Sequence, residues 1–252
     1  MTGKLYCVGI GPGDPELVTL KAVAVIRDST TIFVPVTSRK SRSLAHTILK
    51  EVFSYAGIPD KRVVELVFPM TRDQTVLEKA WEQNAQKIAN STSKNSKSSY
   101  VVLGDPMVYS TFGHIHKKLM DLDVEVEFVP GVSSITACPA KTGMILAEGN
   151  ETLLIAPPEK LELIKRNLGY VDTFIIIKTA VNVDTLLQEI ETAGAERGAR
   201  VLYARRCTMK GEEQYVEGSV SNWQTEYGKE GDYFSMLIVK THTEKKIEKE
   251  IL

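Results

Sequence analysis

Three short segments carry residues whose types and spacing could do chemistry, and each stands where a strand pattern gives way to a turn. The first is Gly9-Ile10-Gly11-Pro12-Gly13-Asp14. A glycine-rich turn from strand to helix is where a dinucleotide site holds its pyrophosphate, on exposed N–H groups at the helix start. That fingerprint needs a third glycine five positions after the first, and here the position is Asp14. A carboxylate there competes with phosphate for the same N–H groups and for the positive end of the helix dipole. It reads instead as the N-cap of a helix over 16–27. No Lys-Ser/Thr pair follows, so a P-loop is excluded. The Gly-x-Gly-x-Gly spacing also suits Rossmann-like methyltransferases, but the second strand ends Phe33-Val34-Pro35-Val36-Thr37, without the acid that would hold ribose hydroxyls.

The second segment is Gly104-Asp105-Pro106 and the third is Pro130-Gly131-Val132-Ser133-Ser134. Gly104 has no Cβ, so a ligand can come close to its main chain. Pro130-Gly131 bends the chain where one domain passes to the next, and Ser133 or Ser134 can cap a helix over 135–141. Two basic stretches, Ser38-Arg39-Lys40-Ser41-Arg42-Ser43 and Arg205-Arg206, follow strand patterns. They fall at strand C-terminal ends, the edge of an open α/β sheet where ligands bind, and guanidinium forks match carboxylates. His114 and His116 are two apart and point to different helix faces, while His46 and His242 have no partners at ligand spacing. No metal site is assigned.

Apolar runs rich in Val, Ile, Phe and Tyr must position these segments. Strands are expected over 5–10, 31–36, 63–68, 100–103 and 124–129, with helices over 16–27, 43–55 and 74–90 and one ending near 122. The polar tract 91–99 reads as a surface loop. In the second half, strands over 152–156, 174–178, 201–204, 214–218 and 233–241 alternate with helices over 161–168 and 183–193 and a short one near 220–227. Sequential strand–helix–strand units imply parallel sheets covered by helices, with some antiparallel pairing near the end. Ten strands exceed one typical sheet. The expectation is therefore two α/β domains, over 1–129 and 130–241, with mainly parallel sheets and a charged tail over 242–252.

Bulk composition sets the outer bounds. Of 252 residues, 43% are hydrophobic and 25% charged, and 31 basic residues nearly balance 32 acidic ones. Disordered, collagen-like and disulfide-scaffold classes are excluded. A formal charge of −1 gives no global attraction to nucleic acid or anionic membranes. No stretch approaches the ~20 apolar residues of a spanning helix. Cys7, Cys138 and Cys207 are scattered and odd in number, as expected of reduced thiols in the cytoplasm. The start of the chain runs directly into a strand pattern, which fits the same compartment.

Taken in order, Gly9 to Ala22, Gly104-Asp105-Pro106 and Pro130 to Ser134 resemble the tetrapyrrole methylases, across nearly the whole chain. Within that family, Tyr109-Ser110-Thr111, Val67-Phe68-Pro69-Met70 and Asp232-Tyr233-Phe234-Ser235 look most like the branch that methylates C20 of precorrin-2 or of its cobalt form, cobalt-factor II. The resemblance implies an S-adenosylmethionine-dependent C-methyltransferase of cobalamin biosynthesis, with the methyl donor in a cleft between two α/β domains. It implies donor contacts, largely main-chain, at Pro12, Leu103, Gly104, Asp105, Val108, Ser133, Ser134, Lys178, Cys207, Ser235 and Met236. Asp105 and Tyr109 become candidates for polarising the substrate or accepting its proton. The many carboxylates of a tetrapyrrole give Arg39, Arg42, Arg205 and Arg206 a ligand. A homodimer is implied, without nucleic acid or membrane partners. Methylation at another corrin position or of uroporphyrinogen III is the alternative within the family; a dinucleotide-dependent oxidoreductase is the alternative outside it.

Overall fold

A computed structural model describes residues 3–38, 43–92, 97–195, 198–223 and 231–241. The chain divides into two compact units, one running to Ser134 and the other starting at Ile135.

In the first unit five strands, β1 (Lys4–Gly9), β2 (Thr31–Val36), β3 (Arg62–Val67), β4 (Lys97–Val102) and β5 (Glu125–Val129), alternate with α1 (Leu20–Asp28), α2 (Leu44–Ala56), α3 (Gln74–Ser91) and α4 (Gly113–Asp121). The strands form one sheet in the order β3-β2-β4-β1-β5, with every pairing parallel. Such a sheet is covered on both faces, which is why its strands read as continuous apolar runs. On one face Leu5, Cys7, Phe33 and Tyr100 pack with Ile88 of α3 and Ile115 and Leu119 of α4. Alternation sends Val8, Ile32, Val34 and Val101 to the opposite face, and α1 and α2 bury Ala22, Ile26, Ile48, Leu49 and Val52. Right-handed crossovers produce this division. The path β1 to β2 to β3 moves one way across the sheet, and β3 to β4 to β5 moves back the other way.

All five strands finish at one edge. Because β4, β1 and β5 are adjacent, the chain that follows each of them emerges side by side there. The three glycine-bearing turns are therefore neighbours by topology.

Local chemistry sets the helix starts. Ser43 caps α2 by accepting from the His46 N–H at 3.2 Å and donates its own hydroxyl to the Pro35 carbonyl at 2.9 Å. Asp73 caps α3 through the N–H groups of Thr75 and Val76. The first helix differs from expectation. Asp14 accepts from the Glu16 N–H at 2.9 Å, but this caps only a 3-10 turn, Pro15–Leu17. Val18 is extended, and α1 begins afresh with Thr19 as its cap, accepting from Ala22. Two capping residues five apart divide the segment, and the second one opens the longer helix.

The polar tract also differs. β4 begins at Lys97, and both Ser98 and Ser99 are fully buried in it. Main-chain pairing to β1 and β2 on either side, Leu5 opposite Ser98 and Ile32 opposite Ser99 among them, overrides the side chains' preference for loops.

The second unit contains nearly all of α5 (Ser134–Thr142), then β6 (Leu153–Ala156), α6 (Leu161–Arg166), β7 (Thr173–Ile177), α7 (Val183–Thr192), β8 (Arg200–Arg205), β9 (Gln214–Ser219) and β10 (Ser235–Lys240). Its sheet runs β6-β7-β10-β8-β9. β6 and β7 are parallel, whereas β10 lies antiparallel to both β7 and β8, and β9 antiparallel to β8. This sheet is thus mixed. The connection 206–213 between β8 and β9 is too short for the crossover that a parallel pair requires. α6 and α7 bury Ile164, Val183, Leu187 and Ile190 against Phe174, Ile176, Val201, Tyr203 and Leu237.

The helix expected near 220–227 is a 3-10 turn, Val220–Asn222, with Trp223 extended after it. β10 starts two residues later than expected because Asp232 accepts from the Phe234 N–H at 2.8 Å and holds 232–234 as a turn. Residues 224–227 and the tail 242–252 lie outside the described residues, as do Arg39 and Arg42. Among the described residues no helix is long and apolar enough to cross a membrane.

Candidate functional site

The glycines of the first unit meet one another. Ile10 donates to the Val102 carbonyl at 2.9 Å and Gly104 to the Gly11 carbonyl at 2.8 Å, which prolongs the β1–β4 contact past the strands. A Cβ on Gly9 would stand 2.6 Å from the Gly104 oxygen and 2.7 Å from Gly131 Cα. A Cβ on Gly131 would fall against the same oxygen and 2.8 Å from the Gly9 carbonyl carbon. Gly9 and Gly131 are therefore demanded by close approach of three main chains. Gly104 is different. Its φ of +69° favours glycine, yet a Cβ there would have Ser133 Cα and the Val132 oxygen as its nearest neighbours, both 3.9 Å away. A Cβ would sit there at ordinary van der Waals distance from 132–134, so the φ, rather than crowding, favours glycine.

Asp105 fastens this arrangement. One carboxylate oxygen accepts from the Met107 N–H at 2.8 Å and the other from the Gly131 N–H at 2.9 Å. Beneath it, Cys7 is pushed well above the ordinary thiol range, first by burial and then by the charge of Asp105. Past Pro106 the loop rises to an exposed apex, with Met107, Val108 and Tyr109 at 69%, 39% and 46% exposure. Tyr109 has φ +51°, in the left-handed region that few non-glycine residues occupy. The far end is pinned by Ser110, which accepts from the Phe112 N–H at 3.1 Å. Phe112 is itself buried between Tyr100 and Phe128. The loop is thus rigid at both feet and apolar at its tip. Pro12 is buried in the first turn.

In the second unit, the other expected donor positions gather at the edge where β7 and β8 end and β10 begins. Lys178 follows β7 with φ +56°, and its ammonium lies 4.8 Å from the Tyr233 ring centroid. The next residue, Thr179, donates its N–H to the Ser235 carbonyl at 3.2 Å. Ser235 turns its hydroxyl to the Asp232 carbonyl at 2.7 Å. Cys207, Ser235 and Met236 are all buried. Cys207 and Cys138 share a hydrogen bond, which lowers the Cys207 thiol, while Cys138 is raised, chiefly by burial.

Arg205 and Arg206 lie at the same edge but are already engaged. Both Nε atoms donate to one oxygen of Asp232, at 2.7 and 3.1 Å. Arg206 also pairs with Glu212, and Arg205 reaches Gln214 at 3.4 Å. Burial works against ionisation of Asp232, but the Phe234 N–H and the two guanidiniums outweigh it and hold the carboxyl below its ordinary value. Sequence reasoning saw the Arg pair and missed its acid. The Gly231-Asp232 turn signal just before the last strand was the available clue.

The fold is a two-unit α/β one, with the glycine-bearing turns of the first unit gathered at its strand ends. A family model described as Tetrapyrrole (Corrin/Porphyrin) Methylases matches residues 4–223, and the chain belongs to that family. It is 34% identical over 238 residues to a Methanocaldococcus jannaschii protein named "Probable cobalt-precorrin-2 C(20)-methyltransferase", covering 94% of this chain and 96% of that one. A precorrin-2 C(20)-methyltransferase from Sinorhizobium is 25% identical over 249 residues, with 94% and 95% covered. Among solved structures, the uroporphyrin-III C-methyl transferase of Thermus thermophilus complexed with S-adenosylhomocysteine superposes with a TM-score of 0.64, at 19% identity and with 94% and 97% covered.

Proposed function

We propose that this chain transfers the methyl group of S-adenosylmethionine to C20 of precorrin-2 or cobalt-factor II in cobalamin biosynthesis. Near-complete coverage at 34% identity to a relative bearing that activity's name carries the reading. The clustered glycine-bearing turns support it, since they lie at the strand C-terminal edge where open α/β sheets bind ligands.

When bound, the donor supplies a methyl group activated by a sulfonium. The chain's own work is then mostly alignment, which can be worth roughly 7–11 kcal/mol. In this reading Pro12, Leu103, Gly104, Val108, Ser133 and Ser134 present the main chain that holds the donor. The apolar apex 107–109 is proposed to exclude water from the reacting carbon, and the Tyr109 hydroxyl to polarise the tetrapyrrole or take its proton. Lys178, Cys207, Ser235 and Met236 are proposed as donor contacts on the resemblance. Arg39, Arg42, Arg205 and Arg206 are proposed to meet substrate carboxylates, the last two by exchanging an internal acid for an external one. A cytoplasmic homodimer is proposed on the same resemblance.

The test is incubation with isotopically labelled S-adenosylmethionine and precorrin-2, with and without cobalt. A labelled methyl at C20 is expected. A methyl elsewhere on the ring transfers the assignment to another member of the family. Titration with S-adenosylhomocysteine and with NAD should show uptake of the first alone; folded protein that takes up neither overturns the reading.

A further inference from the structure

We infer that Asp105 is a positioning residue: a carboxylate strap between the Gly104 and Gly131 main chains that sets affinity for the methyl donor. The inference rests on the donor reading above. Its basis is the division of one carboxylate between two loops. The first oxygen holds the Met107 N–H, two residues onward, and so shapes the Gly104 turn; the second holds the Gly131 N–H, 26 residues away on the chain leaving β5.

Side-chain choice at this position is narrow. Each partner is a donor, so the side chain must accept at both ends with a span of three heavy atoms. Asparagine has one oxygen, and whichever way its amide turns, an NH2 group faces an N–H. Serine can still take the Met107 N–H, as Ser110 takes that of Phe112, but its single short oxygen cannot bridge to Gly131 as well, and alanine bonds neither. The glycine contacts cannot replace the strap: they allow the main chains to approach but are repulsive limits, with no room for a Cβ on Gly9 or Gly131. With each oxygen bonded to main chain, the carboxylate is held in place by the two turns it joins.

The consequence is a split that a purely structural residue would not give. Asp105→Asn should weaken S-adenosylhomocysteine binding about tenfold, the scale of one charge-assisted hydrogen bond. KM for the tetrapyrrole should move less than the S-adenosylhomocysteine dissociation constant, because the strap shapes the donor's turns. Hydrogen exchange at the Gly131 amide, read by NMR, should accelerate by about tenfold or more once its acceptor is lost.

Unchanged S-adenosylhomocysteine affinity overturns the inference. So does a collapse of kcat at saturating donor with affinity intact, which would make Asp105 a catalytic group at the reacting atoms. If Asp105→Asn does not fold by circular dichroism, Asp105→Glu keeps both oxygens on a longer arm, and a smaller rise in the same dissociation constant is expected. A wild-type protein that takes up no S-adenosylhomocysteine overturns the donor reading, and exchange at Gly131 then decides the strap by itself.

Discussion

Asp232 takes the Phe234 N–H on one oxygen and two guanidiniums on the other. Its side chain is 11% exposed, so the pairs are less screened than surface ones but are not fully desolvated. Asp232→Asn keeps the Phe234 contact and leaves Arg205 and Arg206 facing each other without their shared acid. A loss of about 1–3 kcal/mol at pH 7 is expected, between the values for exposed and buried pairs. The folded carboxyl titrates below its ordinary 3.8, so this stabilisation is present above pH 4 and disappears as pH falls through the folded value. The gap between the urea midpoints of wild type and variant should therefore shrink as pH falls below 4; a gap that is the same at pH 7 and throughout the acid range would assign the effect to packing. Arg39 and Arg42 lead to a different expectation. Arg39→Ala or Arg42→Ala should raise KM for the tetrapyrrole and leave the dissociation constant of S-adenosylhomocysteine unchanged. Equal weakening of both ligands would refute a role in binding substrate carboxylates.

At the scale of elements, the strand order explains why three distant turns form one cluster, and Gly131 is the sensitive point. Gly131→Ala would drive a Cβ into the backbone of Gly104 and Gly9, which no rotamer change relieves. A cost of about 1–3 kcal/mol or more is expected from overpacking, with loss of S-adenosylhomocysteine binding. Wild-type stability and binding in Gly131→Ala would mean that the three turns separate freely. Gly57→Ala is the control, because its Cβ meets nothing within 4 Å and only the φ of +59° is strained. The turns themselves were legible in the sequence, as were β2, β7 and the helices α2, α3 and α7 to within a residue or two, because apolar periodicity and caps are local signals. The order β3-β2-β4-β1-β5 was not legible, since pairing between strands a hundred residues apart leaves no local trace. The buried hydroxyls of Ser98 and Ser99, which have no hydrogen-bond partner among the described residues, show the same limit. Their side chains signal a loop, and only the neighbouring strands make them a strand. Likewise the acid between Arg205 and Arg206 comes from the turn before β10; the Gly231-Asp232 pair marks that turn locally, but its pairing with two arginines 26 and 27 residues earlier is set by the β8–β10 contact.

For the molecule as a whole, the shifted groups predict a stability plateau bounded on both sides. Asp28 is held down by its bond to Lys97 and Glu151 by its bond to Lys240, while Glu127, bonded to Lys4 and Lys21, is lowered to about 2. Together with Asp232, these carboxyls have folded values below their unfolded ones. Their contribution is present above about pH 4.5 and is lost as pH falls through the folded values. The opposite sign holds at high pH. Burial raises Cys7 and Cys138 above the ordinary 9.0, and it raises Tyr100 above 10.0 despite the bond to Thr111. These groups favour the fold fully below their unfolded values, and that advantage disappears as pH rises and the unfolded chain ionises first. Cys207 opposes them, being lowered, but it stands alone among the thiols. Urea midpoints measured with thiols reduced should therefore be level from about pH 5 to 8 and fall on either side. Tyr100→Phe removes one of two fully buried phenols, Tyr203 being the other, and should flatten the fall between pH 9 and 11, at a cost of about 1 kcal/mol for the lost Thr111 bond at neutral pH. An alkaline limb equally steep in wild type and Tyr100→Phe would place the ionising groups elsewhere, and a wild-type midpoint at pH 10 equal to that at pH 7 would show that burial of the thiols and phenol contributes nothing to the limit.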